Sequence, residues 1–216
     1  MDKEYTENED KIQETLTQLV SIASNLSGVK TQIGKICGIN EMSINPAITP
    51  NKEFIYIDID AIQNGTGIIN WSKVIRGNQA PSRARRVALS GSTLISTVRP
   101  NLKGFAYVEA EKPNAVYSTG LAILKSKNTE VLEDKMIYYQ FMYSDKMLRQ
   151  MIDAMPQGSY PSINVADLSS FEIMTNIKDS TSVMNEMSRL ENDLNTLRMR
   201  QSRIPSLKQV ILDKYL

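Results

Sequence analysis

The chain has 216 residues, with 25 basic and 24 acidic side chains and a formal net charge of +1. It contains no histidine, which removes the commonest general base and metal ligand, and its single cysteine, Cys37, cannot form an internal disulfide. No apolar run approaches 18 residues and no basic-then-apolar leader opens the chain. We therefore expect a cytoplasmic protein, without a membrane span or secretory signal, whose composition disfavours an enzyme.

The N-terminal segment is predicted to be a helix with a heptad pattern. Its apolar positions follow alternating steps of four and three residues, and they are Ile12, Leu16, Leu19, Ala23, Leu26 and Ile33. Lys30 is the one polar interruption, while Gly28 and Gly34 weaken the last turns.

The middle of the chain changes to the two-residue period of strands. Strand-length runs rich in β-formers lie at residues 53–62, 68–75, 92–98, 104–110 and 120–126, with turn residues between them. One helical stretch is predicted over 131–154, followed by a loop over 156–164 and a last strand beginning at "DLSSFEIM" (167–174). The helix should bury Leu132, Met136, Tyr139, Phe141, Tyr143, Met147 and Met151.

The C-terminal segment repeats the heptad pattern. Its seam consists of Val183, Met187, Leu190, Leu194 and Leu197, followed by Gln201 and Ile204. Residues 179–182 offer N-cap candidates, and Pro205 is expected to end or kink the helix. Neither narrow stripe would be stable alone, so the two helices are predicted to pair through Leu16, Leu19, Leu26, Leu190, Leu194 and Leu197. The alternative is that each helix packs separately onto the globular core.

The net charge of the chain is close to zero, but its central segment is basic. Residues 1–14 carry six acidic and two basic groups, a net charge of −4, whereas residues 71–112 carry eight basic and two acidic groups, a net charge of +6. A basic patch of this kind is typical of a nucleic-acid surface, and the alternative is a solvated face with internal ion pairs.

The centre of this basic region is "QAPSRARRVALSGSTLISTVRPN" (79–101). It holds Arg83, Arg85 and Arg86 within four positions and then Arg99. Arginine pairs bidentately with phosphate or with guanine O6 and N7. The main predicted DNA contacts are Arg83, Arg85, Arg99 and Lys103. The further candidates are Gln79, Tyr160, Arg86 and the short neutral donors Ser82, Ser96, Thr97 and Asn101.

Two alternatives qualify these assignments. Ser96 and Thr97 are equally typical of residues that cap local structure. Because alternate strand positions point to opposite faces, one of the three clustered arginines is expected to face inward to an acidic partner, with Arg86 differing in parity from Arg83 and Arg85.

Three ordered blocks carry a family resemblance. The segments "APSRARRVALSGSTLISTVRPNLKGFAYV" (80–108), "YSTGLAILKSK" (117–127) and "QGSYPSINVADLSSFEI" (157–173) resemble one target recognition domain of a type I restriction-modification specificity subunit. The resemblance covers roughly residues 53–175. It implies an α+β fold in which a single mixed α/β target recognition domain (38–178) is flanked by two long heptad-patterned spacer helices (1–37 and 179–216). These helices would pair as an antiparallel coiled coil.

The resemblance also implies a function and its partners. The chain would recognise double-stranded DNA and direct methyltransferase subunits, and a restriction subunit where one is present, to a target site. No catalytic or metal-binding residues are expected here; S-adenosylmethionine, ATP and magnesium would be bound by the partner subunits. No nucleotide loop, methyltransferase motif or nuclease motif appears in the sequence.

The sequence departs from the family pattern in two ways. The chain has room for one recognition domain where members usually carry two, and "TNIKDSTSVMNEM" (175–187) replaces the proline-rich segment that commonly leads into the distal helix. A half-sized chain could restore the two-domain layout as a homodimer, with Lys30 and Gln201 fixing the register. The competing outcome is a monomer that pairs with another specificity chain.

Two other function classes remain open. One is a coiled-coil adaptor whose basic globular domain binds an acidic protein partner. The other is an enzyme acting on nucleic acid, which the missing histidines and motifs disfavour.

Overall fold

The computed structural model describes residues 2–156, 158 and 161–215, and the side chains of these residues apart from 2–4 and 204–215. The chain divides into two compact units. One is formed by the two ends of the chain, up to Leu26 and from Asp179 onward, and the other by Ser27–Lys178.

The first unit is a pair of helices, α1 (Asp2–Ser24) and α6 (Ser180–Tyr215), which contact each other. Among the leucines predicted to pair them, Leu16 and Leu197 are half-buried, and four are buried: Leu19, Leu26, Leu190 and Leu194. One chain therefore covers its own apolar stripe, as the heptad spacing predicted.

A buried polar contact joins the two helices. The Asn8 side chain is only 8% exposed, and its Nδ2 donates to Gln201 Oε1 at 2.6 Å and to the Leu197 carbonyl oxygen at 3.0 Å. The buried positions of α1, such as Leu19, follow Asn8, whereas those of α6, such as Leu194, precede Gln201. This order is compatible with an antiparallel pair, and the antiparallel coiled coil stays a prediction.

The N-terminal helix is shorter than predicted. It ends at Ser24 instead of continuing to residue 37, and the globular unit begins at Ser27 instead of residue 38. The cause is strand pairing: a Cβ atom on Gly28 would lie 2.4 Å from the Thr175 carbonyl oxygen, so only glycine fits there. Lys30 consequently lies on a strand, where it forms a 3.3 Å ion pair with Glu172, and not in the helical seam.

The C-terminal helix spans nearly all of the predicted spacer segment, 179–216. Helix α6 continues through Pro205 to Tyr215, so Pro205 does not end it. The side chains of its last turns, including Ile204, lie outside the described residues.

The second unit contains three sheets. A two-stranded antiparallel sheet pairs β1 (Val29–Gln32) with β10 (Glu172–Thr175). An antiparallel four-stranded sheet has the order β2 (Cys37–Ile39), β9 (Leu121–Ser126), β6 (Thr93–Ser96), β7 (Phe105–Tyr107). A mixed four-stranded sheet has the order β4 (Val74–Arg76), β3 (Glu53–Ile57), β8 (Ala115–Ser118), β5 (Ala84–Arg86), in which β3 and β8 are parallel.

The two four-stranded sheets share an apolar core. It includes residues of both sheets, among them Ile57 and Tyr117 of the mixed sheet and Leu94, Ala106 and Ile123 of the antiparallel sheet. Strand β6 is buried at all four positions, because the helix α3 (Asp134–Tyr143) also packs against β6, β7 and β9. The candidate site lies at the ends of β6 and β8, beside this core.

Several elements differ from those predicted. The helix expected over 131–154 is two helices, α3 and α4 (Asp145–Ala154), because the Ser144 hydroxyl accepts from Met147 N and begins a second helix. All seven of its predicted core residues are buried. The segment "DLSSFEIM" begins in the helix α5 (Val165–Ser170), which a capping box between Asn164 and Asp167 starts, and its last three residues lie in the predicted strand, β10. The short helix α2 (Ile33–Ile36) and the strands β1, β2 and β8 were not predicted.

Candidate nucleic-acid interface

Main-chain hydrogen bonds join the sequence blocks that the family resemblance singled out. The Arg83 carbonyl oxygen accepts from Thr119 N at 2.9 Å, and the Gly120 carbonyl oxygen accepts from Thr97 N at 2.9 Å. The Thr97 carbonyl oxygen in turn accepts from Ile163 N at 2.9 Å. Segments that are distant in sequence therefore meet at the ends of β5, β6 and β8.

The Arg99–Lys103 segment forms a tight turn with an unusual backbone. Arg99 (φ 46°) and Lys103 (φ 55°) both adopt the left-handed conformation on either side of a 3-10 turn over Pro100–Leu102. Such a conformation costs about 1–2 kcal/mol per non-glycine residue. The turn is held because Leu102 N donates to the Arg99 carbonyl oxygen and Lys103 N to that of Pro100, each at 2.9 Å.

A cleft of about 790 Å³ opens beside this turn. Arg83 and Arg99 line it, together with acidic, amide and apolar residues. The other lining residues are Tyr56, Asp58, Ile59, Asp60, Ile62, Gln63, Asn64, Ser96, Val98, Leu102, Gly104 and Ser118. Two of the four main predicted DNA contacts, Arg83 and Arg99, thus share one cleft, and both are exposed.

The other two arginines of the cluster are used by the protein. Arg85 is half-buried, and its guanidinium donates to the Ser82 carbonyl oxygen at 3.0 Å and to Asn45 Oδ1. Arg86 donates to the carbonyl oxygen of Leu121, and burial lowers the pKa of its guanidinium. Arg86 is therefore the inward-facing arginine that the strand parity predicted, but the expected acidic partner is wrong, because a main-chain oxygen takes that place.

The small hydroxyl residues also serve the fold. The Ser96 side chain is 1% exposed and donates to the Val98 carbonyl oxygen at 2.8 Å. The Thr97 hydroxyl donates to the Gly120 carbonyl oxygen at 3.0 Å. These contacts favour the capping alternative for both residues over a primary role in binding phosphate.

The remaining predicted residues are not among those that line the cleft. Gln79, Ser82 and Asn101 are exposed. Lys103 is half-buried; burial lowers the pKa of its ammonium group, and the nearby Asp145 carboxylate partly opposes that shift. Tyr160 lies outside the described residues.

Acidic groups sit beside the arginines in the cleft. Asp58 is paired with Lys73 at 2.5 Å, and the hydrogen bond to Asp58 raises the pKa of Lys73. Asp60 is exposed at the cleft lining. The cleft therefore offers hydrogen-bond acceptors as well as donors and is not a uniformly cationic surface.

Two cleft residues were missed by the sequence reasoning. Gln63 and Asn64 begin the segment "QNGTG" and line the cleft. The glycines of this segment predicted a turn, and a turn by itself does not indicate a binding role for its amide side chains. Nothing in the sequence signalled that this turn folds against the Arg99–Lys103 turn, where Gly65 N donates to the Lys103 carbonyl oxygen at 2.9 Å.

The described residues hold no group of three or more His, Cys, Asp or Glu side chains that could bind a metal ion. Within the same described part of the chain, no helix has both the length and the apolar character needed to cross a membrane.

Known proteins similar to this chain are found by comparing structures and not by comparing sequences. No protein-family model and no curated protein matches the sequence. A solved HsdS subunit from Thermoanaerobacter tengcongensis is 27% identical with a TM-score of 0.67, over 84% of this chain and 47% of that one. A second solved chain belongs to a structure described as the basis of complex assembly and conformational transition of the type I R-M system. It is 25% identical with a TM-score of 0.71, over 87% of this chain and 48% of that one.

The resemblance predicted from the sequence is thereby confirmed. The chain spans about half the length of the solved chains that it matches. Over most of its own length, its structural neighbours are the specificity (S) subunits of type I restriction-modification systems.

Proposed function

We propose that this chain is a DNA-sequence recognition subunit that directs the catalytic subunits of a type I restriction-modification complex to their target. The observation that carries the proposal is the cleft lined by Arg83 and Arg99, which lies where main-chain hydrogen bonds join the sequence blocks of the resemblance. The fold is that of solved S subunits, which supports the same reading.

The proposed division of labour leaves catalysis to other chains. Methyltransferase subunits, and a restriction subunit where present, would bind S-adenosylmethionine, ATP and magnesium and would act on DNA that this chain has selected in the cytoplasm. This chain would contribute binding energy from arginines, which pair with phosphates and with guanine edges.

The helix pair is the proposed docking surface for those catalytic subunits, with α1 and α6 acting as antiparallel spacer helices in a coiled coil. Its outer groove is lined by charged and polar side chains, including Lys11, Glu14, Arg189, Asp193 and Arg200. A charged groove suits a reversible protein contact more than a permanent hydrophobic one.

A homodimer is the proposed source of the second recognition domain that an S subunit of full length would carry. The leucine stripe does not support it, because Leu19, Leu190 and Leu194 are buried within one chain. The proposal therefore rests on symmetry alone, since two copies about a two-fold axis would read two half-sites. Light scattering at tens of micromolar tests it, and a monomer there would leave pairing with a different specificity chain.

The proposed role is tested by reconstitution. The purified chain, supplied with S-adenosylmethionine, ATP and magnesium, should neither methylate nor cleave DNA. Adding a type I methyltransferase subunit from the same genome should produce methylation at one sequence only. Methyl transfer by the isolated chain, or methylation that is independent of this chain, would overturn the proposal.

A further inference from the structure

The turn at residues 63–66 adjoins the turn that carries Arg99. Gly65 N donates to the Lys103 carbonyl oxygen at 2.9 Å, and a Cβ atom on Gly104 would lie 3.2 Å from Asn64 Oδ1. The side chains of Gln63 and Asn64 thus line the same cleft as Arg99. They belong to a different strand connection from the basic stretch.

The backbone of this turn is held by hydrogen bonds, whereas the side-chain amides of Gln63 and Asn64 form none within the described part of the chain. Gln63 N donates to the Ile68 carbonyl oxygen at 3.0 Å, and the Gln63 carbonyl oxygen accepts from the Thr66 hydroxyl at 2.9 Å. Both amide side chains are exposed, and neither has a hydrogen-bond partner within the described part of the chain. A donor and an acceptor on a rigid turn can bind a ligand with little loss of conformational entropy.

The neighbouring carboxylates indicate what kind of group approaches this part of the cleft. Asp60 lines the cleft and is exposed, and Asp58 lines it while paired with Lys73. A phosphate here would be repelled by Asp60, whereas the amino group of a base can donate to a carboxylate or amide oxygen. The segment is therefore suited to base edges, while arginine is the residue type that pairs with phosphate or guanine.

We infer that Gln63 and Asn64 read an adenine in the DNA target. An Asn or Gln side chain pairs bidentately with adenine by donating to N7 and accepting from N6. The inference rests on the proposed function, and it assigns base specificity to residues outside the basic stretch.

The test is a comparison of DNA sequence preferences. Wild-type protein, the double variant Gln63→Ala/Asn64→Ala and the control Gln32→Ala each select DNA from a randomised pool. Gln32 is an exposed amide on β1 of the same unit and lies outside the cleft lining. Affinities for the selected site and its single-base variants are then measured at several salt concentrations, and thermal unfolding verifies the fold of each protein.

The expected result is a loss of selectivity at one adenine. The double variant should lose about five- to hundredfold in discrimination there, with an unchanged salt dependence because no cation is removed. Gln32→Ala should match wild type. The isosteric Gln63→Glu/Asn64→Asp should shift the preference at that position toward cytosine, because a carboxylate accepts from cytosine N4.

Three outcomes would overturn the inference, and they are distinguishable. If wild type selects a site and both double variants keep its full selectivity, the inference alone fails. If the alanine variant weakens binding to every sequence equally, the turn contacts the backbone of the DNA. If wild type itself selects no sequence, the proposed function fails and the inference with it.

Discussion

The main-chain N–H of Arg99 donates a 2.8 Å hydrogen bond to the carbonyl oxygen of Pro161. This contact ties the Arg-Pro-Asn turn to the Pro-Ser-Ile-Asn loop, and an isolated pairing of Val98 with Ser162 extends it. It holds Arg99 in a left-handed conformation that arginine seldom adopts. The position of the guanidinium group beside the cleft therefore depends on a segment far away in the sequence.

The first prediction concerns the cleft arginine. Arg99→Ala should weaken DNA binding by about 1–3 kcal/mol, because the lost group forms a charged contact to a base or phosphate. Fluorescence anisotropy with labelled duplex DNA measures the change. Arg189→Ala is the matched control, since Arg189 is an exposed arginine in the helix pair that bonds to Glu186 and Asp193. Equal affinities of Arg99→Ala and wild type would make Arg99 a structural residue.

The second prediction separates a structural arginine from a binding one. Arg86→Ala should lower the free energy of unfolding by about 1–3 kcal/mol, because the Leu121 carbonyl oxygen loses its donor in a half-buried site. Arg83→Ala should change the free energy of unfolding by no more than about 0.5 kcal/mol, because Arg83 is exposed. Urea denaturation gives both values, and similar losses for the two variants would refute this distinction.

The third prediction concerns the polar contact within the helix pair. Asn8→Ala and Gln201→Ala should each destabilise the pair, Asn8→Ala by about 1–3 kcal/mol because two half-buried acceptors, the Leu197 carbonyl oxygen and Gln201 Oε1, lose a donor. Their effects should not add, since the two side chains bond to each other. A double-mutant cycle in urea tests this expectation, and strictly additive losses would show that the contact does not form in solution.

The fourth prediction concerns the chemistry of Cys37. Burial raises the pKa of this thiol from 9.0 to about 12, so at pH 8 it is protonated in the folded protein. Alkylation by iodoacetamide should be slower by about a thousandfold than in the urea-unfolded chain, because the thiolate is the nucleophile. Since the folded pKa is raised, stability from this group is complete below pH 9.0 and declines as the pH rises toward 12. Rapid alkylation of folded protein at pH 8 would contradict the buried position of Cys37.

The sequence predicted local patterns better than long-range contacts. The heptad spacing correctly predicted that the two terminal helices pair, and helical spacing identified the buried face of 131–154, because each pattern is set by neighbours in sequence. Gln201 was recognised as a polar position in the seam, but its partner Asn8 was not, since nothing local joins them. The strand β1 was mistaken for helix because the constraint on Gly28 comes from Thr175.

In the candidate site, too, residues marked by local sequence patterns were predicted and residues brought in by long-range contacts were not. The basic stretch and its family resemblance identified Arg83 and Arg99, both of which line the cleft. They could not separate these residues from Arg85, which shares the strand parity of Arg83 but donates to the Asn45 side chain. Gln63 and Asn64 became candidates only when the fold placed their turn beside Lys103.

Sequence-specific DNA recognition is tested most directly by measuring binding at several salt concentrations. The two DNA molecules compared are a selected site and a scrambled duplex. Sequence-specific recognition predicts tighter binding to the selected site at every salt concentration. Affinity for both duplexes should fall as salt rises, with a log–log slope no steeper than about −4 if Arg83, Arg85, Arg99 and Lys103 all contact phosphates. Equal affinity for the two duplexes, or binding that does not respond to salt, would contradict it.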